Sequence, residues 1–306
     1  MVSVEAGGGA STGTRAGFVA LAGRPNVGKS TLVNVLVGRK VAIVSDKPQT
    51  TRRAIRGVAT NDDAQIVLVD LPGVQRPRDA LTARMQRRVE RELADSDAAL
   101  LVLNGEQGVG PGDRFIASQL APAGVPLVVA VNKVDRLRRD ATAAALAATE
   151  GLGLEDAEVF PVSARTGAGV EALREHLKTL MPPGPFLFAP DERTDAPEEL
   201  LLAELIREQV LRRTFQEVPH AVEVVIDGLE ERDDGLTTVH ALLWVETESQ
   251  KGILIGAGGR MIKAIGTAGR RELERELGTR VHLDLAVRVR RGWRGDEAAL
   301  DRLGIE

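Results

Sequence analysis

The sequence predicts an α/β protein in two parts: a phosphate-binding unit on a mostly parallel sheet, then a smaller α+β unit. Three observations predict it. Gly23-Arg24-Pro25-Asn26-Val27-Gly28-Lys29-Ser30 completes the pattern G-x-x-x-x-G-K-S/T between a strand-like run and a helix-like run. Apolar, β-rich runs then alternate with helical patterns as far as residue 180, the arrangement that buries both faces of a parallel sheet. After Met181-Pro182-Pro183-Gly184-Pro185, which cannot continue a helix, the order changes to helix, strand, strand, helix, helix, strand. A chain of 306 residues is long enough for two domains, each with its own core.

The elements of the first part follow in order. Residues 17–22 form the first strand and residues 29–37 the first helix. Between them the glycines Gly23 and Gly28 let backbone N–H groups close around phosphate oxygens, helped by the helix N-terminus. Lys29 is expected to reach the β- and γ-phosphates, Ser30 to hold magnesium, and the whole run through Thr31 to line the nucleotide. Arg39 to Arg53 has no period and contains Pro48, so it reads as a mobile loop, the first switch. Residues 54–60 and 64–70 flank Asn61-Asp62-Asp63, a hairpin that makes one edge strand antiparallel. The second of these strands ends in Asp70, expected to bind magnesium through a water, and leads to Leu71-Pro72-Gly73, whose Gly73 N–H should face the γ-phosphate.

Further strands are expected near 97–103, 125–131 and 157–162, and further helices near 80–93, 112–121, 138–149 and 168–180. Asn132-Lys133-Val134-Asp135 follows the strand at 125–131, at the edge where open α/β sheets bind ligands. The Asp135 carboxylate can accept from both N1–H and the 2-amino group of guanine, a pair that adenine does not offer, so a mismatch would leave buried polar groups unpaired. Ser163-Ala164 closes the next strand, and the Ala164 N–H is expected to read guanine O6.

The second part opens with a helix from Glu198 to Gln216, then strands at 222–226 and 237–245 joined through Asp233-Asp234-Gly235. Gly256-Ala257-Gly258-Gly259 forms a G-x-x-G turn between two helices, and residues 281–289 form the last strand. This is the order of a type II KH module, whose turn clamps single-stranded backbone. Ile253, Ile255, Ile262 and Ile265 are expected to line the base groove. The chain as a whole carries a net charge of −4, yet residues 251–294 hold eleven Lys/Arg against four Asp/Glu, an electrostatic footprint for RNA phosphates. Aromatic residues are 3% and Tyr is absent, which argues against a stacking platform.

Composition narrows the remaining classes. There is no cysteine, hence no disulfide framework and no thiolate metal site. No apolar run approaches a membrane helix, and the Gly/Ala/Ser/Thr-rich start lacks the pattern of a signal peptide. A cytoplasmic protein is expected. The expected domains are a disordered tail at 1–16, the nucleotide domain at 17–181, a linker at 182–197, and the RNA-binding domain with a basic C-terminal tail at 198–306. One phosphate loop without an internal repeat excludes a double nucleotide domain.

Taken together, these motifs resemble the Era family of ribosome-assembly GTPases from Gly17 onward. Gly23 to Ser30, Pro48-Gln49-Thr50-Thr51-Arg52, Val218-Pro219-His220, Ser249-Gln250-Lys251-Gly252 and Gly292-Trp293-Arg294 carry the resemblance. It implies a monomeric GTPase using GTP/GDP and Mg2+, binding the 3′ end of 16S rRNA and the small (30S) ribosomal subunit, with loose peripheral membrane association. By the same resemblance Thr51, ahead of Thr50, looks like the switch threonine on magnesium. Asn26 looks like the residue that helps hold K+, a cation that would do the electrostatic work of an arginine finger. The catalytic set is then Asn26, Lys29, Thr51 and Gly73; the RNA set is Lys251, Gly256, Ala257, Gly258, Gly259, Arg260 and Lys263.

Two features depart from the family. Leu71 replaces a Thr, with Asp70 and Gly73 intact. Ala257 and Gly258 lack a basic residue inside the turn, which moves phosphate contact toward Arg260 and Lys263. Val74 stands where Ras-type enzymes orient water with Gln, and Gln75 comes one position late, so intrinsic hydrolysis is expected to be slow, about 10⁻⁴–10⁻³ s⁻¹ or modestly faster. Two other classes remain open on the residues alone: an RNA-binding module with a relic nucleotide site, and a membrane-proximal signalling GTPase using its basic surface on lipid phosphates.

Overall fold

Runs buried on both faces cannot alternate apolar and polar residues, and the strands of the first sheet do not. In the structure, a computed structural model that describes residues 13–47, 50–73 and 79–305, β3 (Ala64–Asp70) and β4 (Ala98–Asn104) are buried at every position. They pair with β1 (Arg15–Ala22), β2 (Ile55–Thr60), β5 (Leu127–Asn132) and β6 (Glu158–Pro161) in one sheet ordered β2-β3-β1-β4-β5-β6. Only β2 is antiparallel, through the expected hairpin with β3. Because β1, β3, β5 and β6 run the same way, Gly23, Asp70, Asn132 and Ser163 follow their C-terminal ends on one edge, as open α/β sheets require for a ligand crevice. Of the tail expected at 1–16, residues 1–12 lie outside the described residues, as do Pro48, Gln49, Val74 and Gln75, while Arg15 and Ala16 belong to β1 and extend the first strand beyond its expected start.

Five helices cover this sheet: α1 (Lys29–Val37), α2 (Ala80–Ala94), α3 (Pro111–Leu120), α4 (Arg139–Ala147) and α5 (Val170–Leu180). Each stops for a local reason. Gly38, at φ 78°, closes α1 by returning its N–H to Asn34 and Val35 carbonyls. Asp79 opens α2 by accepting from the Thr82 N–H, in a reciprocal capping box.

The segment read as a linker is held against the first sheet. Gln65 accepts from the Leu187 and Phe188 N–H groups at 2.7 and 2.9 Å, and the Val58 N–H donates to the Arg193 carbonyl at 2.9 Å. The edge strand β2 thereby gains partners for backbone groups that would otherwise face water.

The second part contains α6 (Glu198–Leu211), a short α7 (Val218–Ala221), β7 (Glu223–Glu231), β8 (Leu236–Val245), α8 (Glu248–Ile255), α9 (Arg260–Leu277) and β9 (Arg280–Val289). Its sheet is ordered β7-β8-β9, with β7 antiparallel and β9 parallel to β8. Helix α6 is shorter than its apolar pattern predicts, for Gln216 sits at φ 58° and Pro219 follows. Gly269 lets α9 approach the sheet: a Cβ there would lie 3.1 Å from the Leu283 side chain.

The basic C-terminal tail expected from the sequence is not the arrangement found. After β9 the chain forms α10 (Glu297–Arg302), capped by Asp296, and buries Leu300, Leu303 and Ile305 with Trp293, Trp244, and Leu81 and Met85 of α2. Three apolar residues within a six-residue helix and its exit are too few to set a period in sequence, yet together they cover one face. Among the described residues no helix is long and apolar enough to cross a membrane.

Candidate functional site

The phosphate loop adopts a shape that only its own residues permit. Gly28 has φ 104°, and a Cβ there would fall 2.3 Å from Asn132 Nδ2. Lys29 is buried and donates to the Gly23 and Arg24 carbonyls at 3.1 and 3.3 Å. Arg24 is fixed by the fully buried Asp113 at 2.8 Å, so the loop is braced from α3. Pro25 abuts Gly73, where a Cβ would meet its ring at 3.0 Å. A cavity lined by Asn26, Lys29, Ser30, Thr31, Thr51 and Gly73, among others, opens above these backbone groups.

Ser30 Oγ donates to Asp70 Oδ2 at 2.5 Å, and Thr51 Oγ1 lies 3.3 Å from both Ser30 Oγ and Asp70 Oδ2. Asp70 is wholly buried and its Oδ1 has no hydrogen-bond partner among the described residues. Two hydroxyls and an orphaned carboxylate oxygen are an all-oxygen donor set, which fits Mg2+ and does not fit a soft metal. No group of three or more His, Cys, Asp or Glu suited to a metal occurs among the described residues. The remaining positions of an octahedral Mg2+ would therefore come from phosphate and water. Burial pushes the Asp70 carboxyl up and the Lys29 ammonium down, each partly offset by the other; an anionic phosphate and a cation would relieve both.

At the base end, Asp135 follows β5 as expected, beside Ser163. Ser163 Oγ donates to Asp135 Oδ1 at 2.5 Å, and Arg165 donates to Oδ2 through Nε at 2.9 Å and through Nη2. Those two partners hold the carboxyl below its usual range. The Ala164 N–H, expected to face guanine O6, donates instead to Asn132 Oδ1 at 2.9 Å, while Asn132 Nδ2 donates to the Val27 carbonyl at 2.9 Å. Asn132 is thus a tie between the phosphate loop and the base loop rather than a free ligand. Lys133 spans the same gap, donating to the Asn26 carbonyl at 2.8 Å.

The G-x-x-G turn is open on one side and tight on the other. Gly256 (φ 70°, ψ 168°) would drive a Cβ to 2.7 Å from that of Met261, whereas Gly258 and Gly259, also at positive φ, face open space. Ala257, Gly258, Arg260 and Lys263 are exposed and Lys251 is half-buried. Of the isoleucines expected in the groove, Ile253 is exposed and Ile255 and Ile262 are half-buried. Ile265 is 0% exposed and belongs to the core beneath α9: three residues past Ile262, it turns toward the sheet. The basic footprint is also smaller than its count. Arg270, Arg275, Arg290 and Arg294 are paired with Glu274, Glu272, Asp296 and Asp79.

Sequence reasoning missed the charged cluster between the two parts. The loop read as mobile is pinned by the second part. Ile43 enters the apolar core of α6 and β7. Arg52, 2% exposed, donates to Glu223 at 2.7 Å and to the carbonyls of Val222, Pro219 and His220. Arg53 reaches Glu204 at 2.9 Å and the Leu303 carbonyl at 2.7 Å, while Lys40 reaches Glu208 at 2.5 Å. Burial alone would raise Glu223, but Arg53, Arg52 and Arg207 reverse this and hold it at about 2. Burial lowers Arg52 to about 10, against the pull of Glu223. The only trace in sequence was acids on an otherwise apolar helix, which are usually a solvated face.

Two families match the chain: one described as "50S ribosome-binding GTPase" over residues 18–133, and one described as "KH domain" over residues 217–294. A protein named GTPase Era from Mycobacterium avium (strain 104) is 49% identical over 297 residues, covering 95% of this chain and 99% of the relative. The GTPase Era of Mycobacterium tuberculosis (strain ATCC 25177 / H37Ra) is 48% identical over 294 residues, covering 94% and 98%. Among solved structures, a variant of Aquifex aeolicus Era bound to GDP·AlF4⁻ superposes with a TM-score of 0.92 at 34% identity, covering 95% of this chain and 99% of that one. Era in complex with MgGDPNP and nucleotides 1506–1542 of 16S ribosomal RNA gives a TM-score of 0.91, also at 34% identity and with the same coverage.

Proposed function

From the premise that the chain belongs to the GTPase Era family, we propose a GTP-driven switch that binds the 3′ end of 16S rRNA through its KH domain and assists assembly of the small ribosomal subunit. The observation that carries the reading is that one loop, residues 39–53, borders the phosphate cavity on one side and the KH domain on the other. Chemistry at the γ-phosphate therefore has a direct mechanical route to the RNA-binding part.

In this reading the loop from Gly23 to Thr31, through its backbone N–H groups other than at Pro25, and the Lys29 ammonium bind and orient the phosphates. Asp135, presented by Ser163, accepts from guanine, with Asn132, Lys133 and Ala164 fixing the base loop. Guanine would displace Arg165 from Asp135 Oδ2. Ser30 and Thr51 hold Mg2+ directly and Asp70 holds it through water. A Mg2+ held by these residues would supply charge neutralisation for the phosphates. The Gly73 N–H donates to the γ-phosphate. Asn26 Nδ2 already donates to the Asp46 carbonyl at 2.6 Å, which leaves Oδ1 as its atom for K+. Turnover without a partner is slow, since the chain supplies Val74 where a water-orienting Gln would stand. Domain limits near 17–181 and 198–306 are part of the proposal. So is a cytoplasmic monomer that touches the inner membrane face through exposed arginines, a contact that anionic vesicles would report.

In the second domain, Arg260 and Lys263 at the start of α9, with Lys251, contact RNA phosphates around Gly256 to Gly259. The test is a titration of a single-stranded 16S 3′-end RNA at fixed salt with GTP analogue, GDP or no nucleotide. Affinity should differ between nucleotide states, and Asp135→Asn should abolish that difference by removing GTP binding. Equal affinity in all three states, or GTP retention by Asp135→Asn, refutes the reading.

A further inference from the structure

The residue that fixes the peptide preceding Thr51 belongs to the other domain. Arg207 lies on α6 and is 0% exposed. Its Nη2 donates to the Thr50 carbonyl. The guanidinium is itself held in a fork by Glu204, with Nε 3.0 Å from Oε1 and Nη2 2.7 Å from Oε2, and Glu223 lies 3.8 Å away. Burial would depress the Arg207 pKa, but Glu204 and Glu223 outweigh it and raise it, so the group donates as a cation at any working pH. On the far side of Thr51, Arg52 and Arg53 are anchored to α7, β7 and the C-terminal segment. Thr51 is thus suspended between two anchors, both in the second domain, with its hydroxyl 3.3 Å from Ser30 and Asp70.

We propose that Arg207 is a positioning residue for GTP hydrolysis: through the Thr50 carbonyl it sets where the Thr51 hydroxyl meets Mg2+, so the KH domain supplies part of the geometry of the nucleotide site. The proposal rests on Thr51 being the magnesium threonine. Arg207 touches neither nucleotide nor metal. Its effect falls on the GTP state, in which Thr51 is engaged, and leaves the GDP state alone. A buried charge-assisted hydrogen bond to one backbone oxygen is suited to this, because a displacement of about 1 Å at a catalytic group costs up to about 10²-fold in rate. By thermodynamic linkage, whatever RNA does to α6 must alter GTP affinity by the same factor that GTP alters RNA affinity.

The test uses the full chain. Arg207→Met removes the clamp alone, because Glu204 keeps Arg53 as its counter-charge at 2.9 Å and no buried carboxylate is left unpaired. Expected results are a fall in kcat of about ten- to a hundredfold, a comparable rise in the Mg2+ concentration needed for half-maximal turnover, and unchanged GDP affinity. A folded Arg207→Met variant with wild-type kcat and wild-type Mg2+ requirement overturns the proposal, and so does an equal loss of GDP and GTP binding. Thr51→Ala in the same assay separates the two layers. If it leaves the Mg2+ requirement intact, the threonine assignment is wrong and the proposal falls with it. If only Thr51→Ala raises the requirement, Arg207 alone is misassigned. Should Arg207→Met not fold, amide hydrogen exchange over residues 204–211 in the wild type decides. Slower exchange with Mg2+ and GTP analogue than with GDP supports the clamp, and equal exchange refutes it.

Discussion

Gly28 and Asn132 meet at the point where the two halves of the nucleotide site are sewn together. The glycine takes φ 104° and leaves only enough room for the Asn132 amide, which in turn bonds Val27 and Ala164. Gly28→Ala therefore carries both backbone strain, about 1–3 kcal/mol, and a steric clash that pushes the two loops apart. The expected outcome is a lowered melting temperature together with loss of GDP binding, read by thermal denaturation and nucleotide titration. The phosphate loop was legible in sequence because its chemistry is contiguous: eight consecutive residues hold the whole pattern. The tie made by Asn132 was not, because its partner Val27 lies 105 residues away and an amide can equally face a base or a backbone. Asp135 was legible as a carboxylate at a strand end, while its pairing with Arg165 was not, since an exposed arginine beside a loop has no preferred direction until the fold is known.

Helix α6 shows the same contrast at the scale of an element. Its apolar residues predicted a helix, but every residue from Leu202 to Leu211 is buried, including Glu204, Arg207, Glu208 and Gln209. Charges survive there because Glu204 and Glu208 are matched across the junction by Arg53 and Lys40, and Arg207 is matched within its own domain by Glu204 and Glu223. The cluster has a pH signature through Glu223, the β7 residue packed against α6. The folded pKa of Glu223, about 2, lies below its ordinary 4.5, so its contribution is fully present above about pH 4.5 and is lost as pH falls toward about 2. Melting temperature should drop between about pH 5 and pH 3, and Glu223→Gln should flatten that slope while lowering the midpoint at neutral pH, because buried arginines lose a counter-charge. A neutral-pH midpoint and acid slope equal to the wild type would show that the cluster contributes nothing. Strands and most helices were readable because burial on both faces writes continuous apolar runs. Helix α10 and the loop at 39–53 were not, because each is stabilised by the other half of the chain and carries little periodicity of its own.

At the scale of the molecule, the second domain grips both the loop at 39–53 and the helix α2. It holds the first through Arg52, Arg53 and Arg207, and reaches α2 through α10, where Arg84 pairs with Glu297 and Asp301 and Leu81 and Met85 enter the shared core. RNA affinity should then lean on the exposed Arg260 and Lys263, since Arg290 and Arg294 are held by Asp296 and Asp79. Arg260→Ala and Lys263→Ala should each weaken RNA binding across sequences and reduce the slope of log affinity against log salt by about 0.7, the value for one single-strand phosphate contact. A slope equal to that of the wild type would place the RNA elsewhere on the surface.

The chain has two tryptophans and no tyrosine. Trp244 and Trp293 both sit in the cluster that joins α2 to the C-terminal segment; the Trp293 indole donates to the Ala221 carbonyl at 3.0 Å and Arg52 stands 5.5 Å from its ring. Tryptophan emission of the unlabelled protein, excited where its six phenylalanines do not absorb, consequently originates at the junction between the domains. Nucleotide exchange can be followed there in real time, as a change in intensity or wavelength, with no dye attached and no residue replaced.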